Sequence, residues 1–366
     1  MTPSPHMSSH VSPRFVVGAY ASLPAERYAQ EEYYRLLGSQ EWIDGTELPF
    51  PGDLAQSERR GWLARHLPAH WTANTVTMIP GTMQRIGDDA TFGLAGADEN
   101  GRKAALAQLA DARDAIADLA QLRGRNDVAF IEIHTGPTGA ADGEAMRRSL
   151  GEIASWEWNG TQPVIEHCDR AIAGRKPEKG FLPIETEIEL CRDAGAGLTI
   201  NWGRSCVEGR ARALPAEHVR LAAGANVLAG LMFSGAGPEA TQYGYAWIDG
   251  HLPMNPDEPT SWMGADQIAE CVRLAASSAR LAYIGTKICV PPASDLRTRA
   301  AMLAHIHDAC AMHDVFGDGA GRADGVGRAG DMGHAASAGV ADDAADTSLA
   351  VGMDGSEVAA EGEAAA

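Results

Sequence analysis

The chain has 366 residues, 45% of them hydrophobic, enough to fill either two ordinary domains or one large α/β core. A formal charge of -19, with no visible cluster of Lys or Arg, argues against nucleic acid as a partner, because phosphate binding needs a basic face. No run approaches the ~20 apolar residues of a membrane span, and MTPSPHMSSHVSPR lacks the apolar centre of a secretory signal, so a cytoplasmic protein with no membrane contact is expected.

In chain order, a flexible extension is expected over residues 1–13, followed by strands at RFVVGAY (14–20), EWIDGTELP (41–49) and TVTMIPG (75–81). A helix follows in GRKAALAQLADARDAIADLAQLRG, where Leu106, Leu109, Ile116, Leu119 and Leu122 fall near one face and Gly124 supplies a stop. Further strands read at VAFIEIHT (128–135), PVIEHCD (163–169), GLTINWG (197–203), NVLAGLMFS (226–234) and RLAYIGTK (280–287). ADQIAECVRLAASSAR precedes the last strand as a helix and DLRTRAAMLAHIHDACAMH follows it as another. Strand and helix alternate, which implies right-handed parallel units, and eight of them in about 300 residues predict a single α/β domain, a (β/α)8 TIM barrel, over 14–316.

From residue 317 to 366 the composition turns to Gly, Ala and Asp, with ten acids against two arginines and no aromatics. Such a tail buries too little apolar surface to offset its chain entropy and is expected to be disordered. The six cysteines show no CxxC spacing and are read as small buried hydrophobes.

A TIM barrel gathers its chemistry at the C-terminal ends of its strands. Those ends supply Tyr20; Glu47; Pro80 and Gly81; Glu132 and His134; Glu166, His167 and Asp169; Asn201, Trp202 and Arg204; Ser234; and Lys287. Strand alternation turns Glu132 and His134 inward, opposite Ile131 and Ile133, and turns Glu166 inward with Val164 while Ile165 and His167 face out. A carboxylate facing a barrel interior is costly unless it is paired, protonated or bound to metal. FSGAG and IGTK suggest Ser234, Gly235, Gly237 and Lys287 as an anion site, with a glycine turn beside a structural lysine as the plainer alternative. In YGYAWIDGHLPMNP, Asp249 and His251 are two apart, and in an extended segment both could reach one metal or one hydroxyl pair. Trp202, Trp247 and Trp262 are candidates for a wall against a sugar face, or for ordinary loop packing.

The runs VVGAY, IPGTM, VIEHCD, INWGRS, GLMFSGA and the late DxH resemble the xylose-isomerase-like TIM barrels, the superfamily of sugar isomerases, sugar-phosphate epimerases and metal-dependent apurinic endonucleases. More closely, over about residues 14–313, they resemble an actinobacterial-type family of such barrels catalogued as a domain of unknown function. The wider resemblance implies a divalent metal on a Glu at strand five, an Asp at six, a His at seven and a Glu at eight. Here these positions carry Glu166, Asn201, Phe233 or Ser234, and Lys287, so the tetrad is broken. Two alternatives stay open: a divalent ion (Mn, Mg or Zn) held by Glu166, Asp249 and His251, or chemistry without a metal.

The leading expectation is an enzyme that isomerises or epimerises a small sugar or sugar phosphate. Glu166 would act as base or ligand, His134, Glu132 or His251 as acid–base partner, and Lys287 would bind phosphate or steady an enediolate oxygen. Glu47, Asn201, Trp202, Arg204, Ser234, Gly235 and Trp247 would contact the substrate. The alternatives are a glycoside hydrolase using Glu132 and Glu166, a Schiff-base lyase using Lys287, and an inactive sugar-binding protein. Pairing of two copies through the outer helices is left open.

Overall fold

The computed structural model describes residues 12–312, so the expectations for the first eleven residues and for the acidic tail fall outside the described residues. Eight parallel strands close into a barrel in sequence order, β1 (Arg14–Val17), β2 (Gly45–Pro49), β3 (Asn74–Thr77), β4 (Val128–Ile133), β5 (Gln162–Glu166), β6 (Gly197–Asn201), β7 (Leu228–Phe233) and β8 (Tyr283–Thr286), with β8 pairing back onto β1. Around them run α1 (Arg27–Gly38), α2 (Gly52–Ala55), α3 (Ser57–His66), α4 (Ile79–Asp88), α5 (Glu99–Arg123), α6 (Gly143–Ala154), α7 (Ile184–Ala194), α8 (Trp202–Gly209), α9 (Leu214–Gly224), α10 (Ala265–Ala275) and α11 (Leu296–Ala311). No helix of the described residues is long and apolar enough to cross a membrane.

All eight expected strands are present, but several end earlier than their apolar runs. Ile79, Pro80 and Gly81 open α4, and Trp202 and Gly203 open α8, because an apolar residue suits the end of a strand and the start of a helix equally. Helix α5 keeps the expected face and stop: Asp98 caps it by accepting from the Gly101 N–H, and Gly124 ends it in the left-handed region at φ 72. Leu122 departs from that face and is 57% exposed. Five of the six cysteines are buried, and all six are free thiols.

Alternation along the strands sorts two cores. Phe15, Val17, Leu48, Val76, Ile131, Ile133, Ile165, Leu198, Ile200, Leu231, Phe233 and Ile284 join the large cluster that includes the helices. Val16, Phe130, Val164, Met232 and Tyr283 form a separate cluster inside the barrel. This inner plug, in which the Phe130 and Tyr283 rings are 4.7 Å apart, leaves the level above it to polar side chains. Gly230 makes the plug possible, since a methyl group there would collide with the Tyr283 ring and come within 2.6 Å of Thr199 Oγ1.

Gly230→Ala is therefore expected to lower unfolding stability by about 1–3 kcal/mol through overpacking. Gly224→Ala, at an exposed helical position with nothing within 4 Å, should be neutral or stabilising by up to about 1 kcal/mol. Urea unfolding of the two variants checks the contrast, and equal effects would contradict it.

Candidate active site

The polar level is organised around the Glu166 carboxylate. His134 Nε2 donates to Oε2 at 2.9 Å, and Arg204 Nη1 is 2.6 Å from the same oxygen. Asn201 Nδ2 donates to Oε1 at 3.3 Å, and Lys287 Nζ is 3.8 Å from it. Lys287 also donates to Glu47 Oε1 at 2.9 Å. All of these side chains are buried.

Local structure explains each position. Asn201 caps α8, its Oδ1 accepting from the N–H groups of Gly203 and Arg204 and from Ser234 Oγ, which turns its amide toward Glu166. The cap sets Arg204 in the first turn of α8, where its Nε reaches Asp249 Oδ2 at 3.1 Å. Lys179 Nζ is 3.3 Å from the same Asp249 oxygen, and His251 Nδ1 is 3.4 Å from the other. Gly18 makes room for Lys287, because a Cβ there would lie 2.8 Å from the lysine Cβ and 3.1 Å from Glu47 Oε2. Across the interior, Tyr283 Oη donates to Glu132 Oε1 at 2.8 Å and is 2.6 Å from Thr199 Oγ1.

Burial and neighbouring charge divide the protonation states. Burial, reinforced by the charges of Glu166 and Glu47, pushes the Glu132 carboxyl well above the usual range, so it is a neutral acid. Burial acts on Glu166 in the same direction, yet Arg204, Lys287 and His134 hold it well below that range. Burial lowers His134 despite Glu166 beside it, which leaves a neutral ring with its proton on Nε2. Lys287 loses by burial but gains more from Glu166 and Glu47, so it is raised and charged. Asp249 is held low by Lys179 and Arg204 against its burial, and burial lowers His251.

Among the described residues, Glu47 Oε2, Glu132 Oε2, Thr75 Oγ1, Thr77 Oγ1, His134 Nδ1 and Arg204 Nη2 are buried without a hydrogen-bond partner. Strand register sets Thr75 beside Glu47 and Thr77 beside Glu132. Buried polar atoms in native proteins are seldom left unmatched, and a concentration of them marks where a ligand or water bonds.

Glu132, His134 and Glu166 thus come together as alternation implies, joined by the strand-end residues Glu47, Asn201, Arg204 and Lys287, while His167 turns outward. Asp249 and His251 adjoin the group through Arg204, although their segment is not extended: Trp247 and His251 have φ of 66 and 51. The anion-loop reading does not fit this geometry, because the Gly235 N–H donates to the Leu252 carbonyl, Ser234 is committed to Asn201 and Lys287 lies inside the barrel. Trp202 is fully buried in the outer core, so it presents no face to a substrate. Trp247 and Trp262 pack edge to face at 4.9 Å under Arg210 and Arg212. Tyr283, Thr75 and Thr77 were missed: Thr75 and Thr77 are two apart on β3, and Tyr283 lies four residues before Lys287. Lys179 gave no sequence signal.

Two groups of three residues among those described bring potential metal-ligand atoms within 4.8 Å of one another: Glu47, Glu132 and Glu166, and separately His167, Glu208 and His218. Glu166, Asp249 and His251 do not form such a group, since the Arg204 guanidinium bonds both acids. The carboxylate group inside the barrel has the charge for an ion but the wrong neighbours. A divalent ion about 4 Å from the Lys287 ammonium would meet a repulsion of about 8 kcal/mol at an effective dielectric constant near 20, with Arg204 adding more. The donor set therefore does not fit a metal at the tetrad position that the wider resemblance implies.

The raised Glu132 has a signed consequence for stability. The folded state retains a proton that the unfolded chain releases, so this group's contribution is fully present below the ordinary carboxyl range and is lost as pH rises toward its folded value. Glu132→Gln mimics the neutral acid, so its stability relative to the native protein should rise steadily between pH 5 and pH 8. Denaturant unfolding across that range checks this, and a difference independent of pH would contradict it.

The described family of unknown function, DUF4862, matches residues 16–302. An uncharacterized protein, STM3670, of Salmonella typhimurium strain LT2 is 35% identical over 301 residues, covering 79% of this chain and 94% of that protein. Among solved structures, a D-tagatose 3-epimerase-like protein aligns with a TM-score of 0.54 at 15% identity, covering 81% of this chain and 98% of its own. A D-psicose 3-epimerase solved with D-fructose aligns at 0.51 and 12%, covering 83% and 99%. The 3-keto-D-glucoside 4-epimerase of E. coli aligns at 0.52 and 11%, covering 81% and 99%. These structural likenesses show the fold, a xylose-isomerase-like TIM barrel. On the family match and the Salmonella relative, the chain belongs to the DUF4862 family.

Proposed function

We propose that the barrel interior binds a small unphosphorylated sugar and moves a proton between its carbons, as in isomerisation or epimerisation, with fixed cations in the place of a metal. The observation that carries the reading is His134: its Nε2–H is committed to Glu166, which leaves Nδ1 a buried acceptor with no hydrogen-bond partner among the described residues. The sugar class accords with the solved epimerases of like fold, and the engaged Gly235 loop favours an unphosphorylated substrate. Free thiols accord with a cytoplasmic setting.

In this mechanism His134 Nδ1 takes the proton from the carbon next to the carbonyl, and the C–H electron pair becomes the enediolate double bond. Charge developing on the carbonyl oxygen is met by the Lys287 ammonium and the free Arg204 Nη2, both fixed before the reaction begins. Glu132 is the acid that protonates this oxygen; the proton on His134 is then delivered to the former carbonyl carbon while the neighbouring hydroxyl returns a proton to Glu132 and its oxygen becomes the new carbonyl. Glu166 touches no reacting atom in this scheme and acts as a positioning residue that sets the His134 tautomer.

The hydrolase reading fits less well, because both oxygens of Glu166 are engaged and neither is free to attack an anomeric carbon. A Schiff-base lyase needs an uncharged lysine, and the environment of Lys287 favours its charge.

The test is deuterium wash-in from D2O at carbon, with EDTA-dialysed protein and a panel of ketoses and aldoses. Exchange should persist without added metal and fall by ~10²-fold or more in His134→Asn and Lys287→Met. Exchange that requires added Mn or Mg, or a folded His134→Asn variant with native exchange, would contradict the proposal. Binding across the panel with no exchange would leave a sugar-binding protein in its place.

A further inference from the structure

A second buried cluster lies on the other side of the barrel wall and takes no part in the proposed reaction. His167, the first residue after β5, faces outward and meets Glu208 of α8 and His218 of α9. His167 Nε2 is 3.5 Å from Glu208 Oε2, and His218 Nε2 is 3.8 Å from Glu208 Oε1. All three side chains are at most 5% exposed, and among the described residues His167 Nε2 has no well-directed hydrogen bond.

The opposite ring nitrogens are already committed. His167 Nδ1 is 2.6 Å from Glu187 Oε2, whose other oxygen accepts from Thr135 Oγ1 at 2.6 Å. His218 Nδ1 is 2.9 Å from Ser205 Oγ. This outer arrangement is the one that orients metal-binding histidines, since it fixes each ring and leaves its second nitrogen for the ion. Glu208 is held in turn by Arg170, whose backbone N–H and Nε donate at 2.9 and 3.1 Å.

We propose that His167, His218 and Glu208 form a binding site for a zinc-class divalent cation, distinct from the barrel interior. Two imidazoles and a carboxylate suit Zn(II). Tetrahedral coordination at about 2.0–2.1 Å places ligand atoms ~3.3 Å apart, and one ligand atom from each of these three residues already lies within 4.8 Å of the others, so binding requires the cluster to contract. A cleft of about 290 Å³ lined by Glu208, Arg170, Arg210 and Trp247 reaches the Glu208 side of the cluster. The ion would tie the end of β5, which presents Glu166, to α8, which presents Arg204, and to α9. The competing reading is a buried ion pair in which a proton on His167 takes the metal's place.

The test uses the full chain after EDTA dialysis, titrated with CoCl2 and, separately, ZnCl2. One equivalent of Co(II) should develop the intense visible bands of a tetrahedral site, and Zn(II) should displace it and raise the melting temperature. Folded His218→Gln and Glu208→Gln should bind Co(II) at least tenfold more weakly, while Glu47→Gln, in the barrel, should retain the full equivalent. If those two variants do not fold, Ser205→Ala keeps every ligand and should weaken Co(II) severalfold. Absence of the bands from the native chain, or their retention in the folded ligand variants or in Ser205→Ala, would overturn the proposal.

Discussion

The structure depends on how a single buried carboxylate, Glu166, is compensated. A carboxylate deprived of water must be protonated or surrounded by opposite charge and donors, and here His134, Arg204, Asn201 and Lys287 surround it. Each partner comes from a different part of the wall, so the requirement of one side chain constrains β4, β6, α8 and β8 together. The Asn201 cap, the closely packed Gly18 and the Ser234 hydroxyl are the local conditions that let those partners arrive.

The same compensation separates two carboxyls lying within 4.8 Å of each other. Glu166 receives the cations and stays ionised, and Glu132, facing Tyr283 and Thr77 with no cation in ion-pair contact among the described residues, keeps its proton. Environment alone thus sets a protonated carboxyl and an ionised one side by side, the pairing on which the proposed proton transfer rests. At the end of β8 this chain carries Lys287, a cation, in contact with Glu47 and near Glu166.

Much of this was legible from strand alternation. Glu132, His134 and Glu166 were assigned inward and His167 outward because a parallel strand buried on both faces still obeys a period of two. Less legible were the strand ends, since IPG and NWG read as continuations when they are the first turns of helices. The DxH segment misled for a related reason: spacing in sequence implies a shared side only in extended backbone, and His251 has a positive φ. Lys179 meets Asp249 from a loop 70 residues away in sequence, a contact that no local pattern announces. The partners of His167 were likewise invisible, because they meet only when α8 and α9 pack against β5.

The most direct test of the central claim is anomalous diffraction at the manganese and zinc edges from crystals grown after EDTA treatment and soaked in MnCl2 or ZnCl2. The account predicts no anomalous peak among Glu47, Glu132 and Glu166, with the Lys287 side chain in contact with Glu47. A strong peak within ligand distance of Glu166, with Lys287 displaced from Glu47, would contradict it.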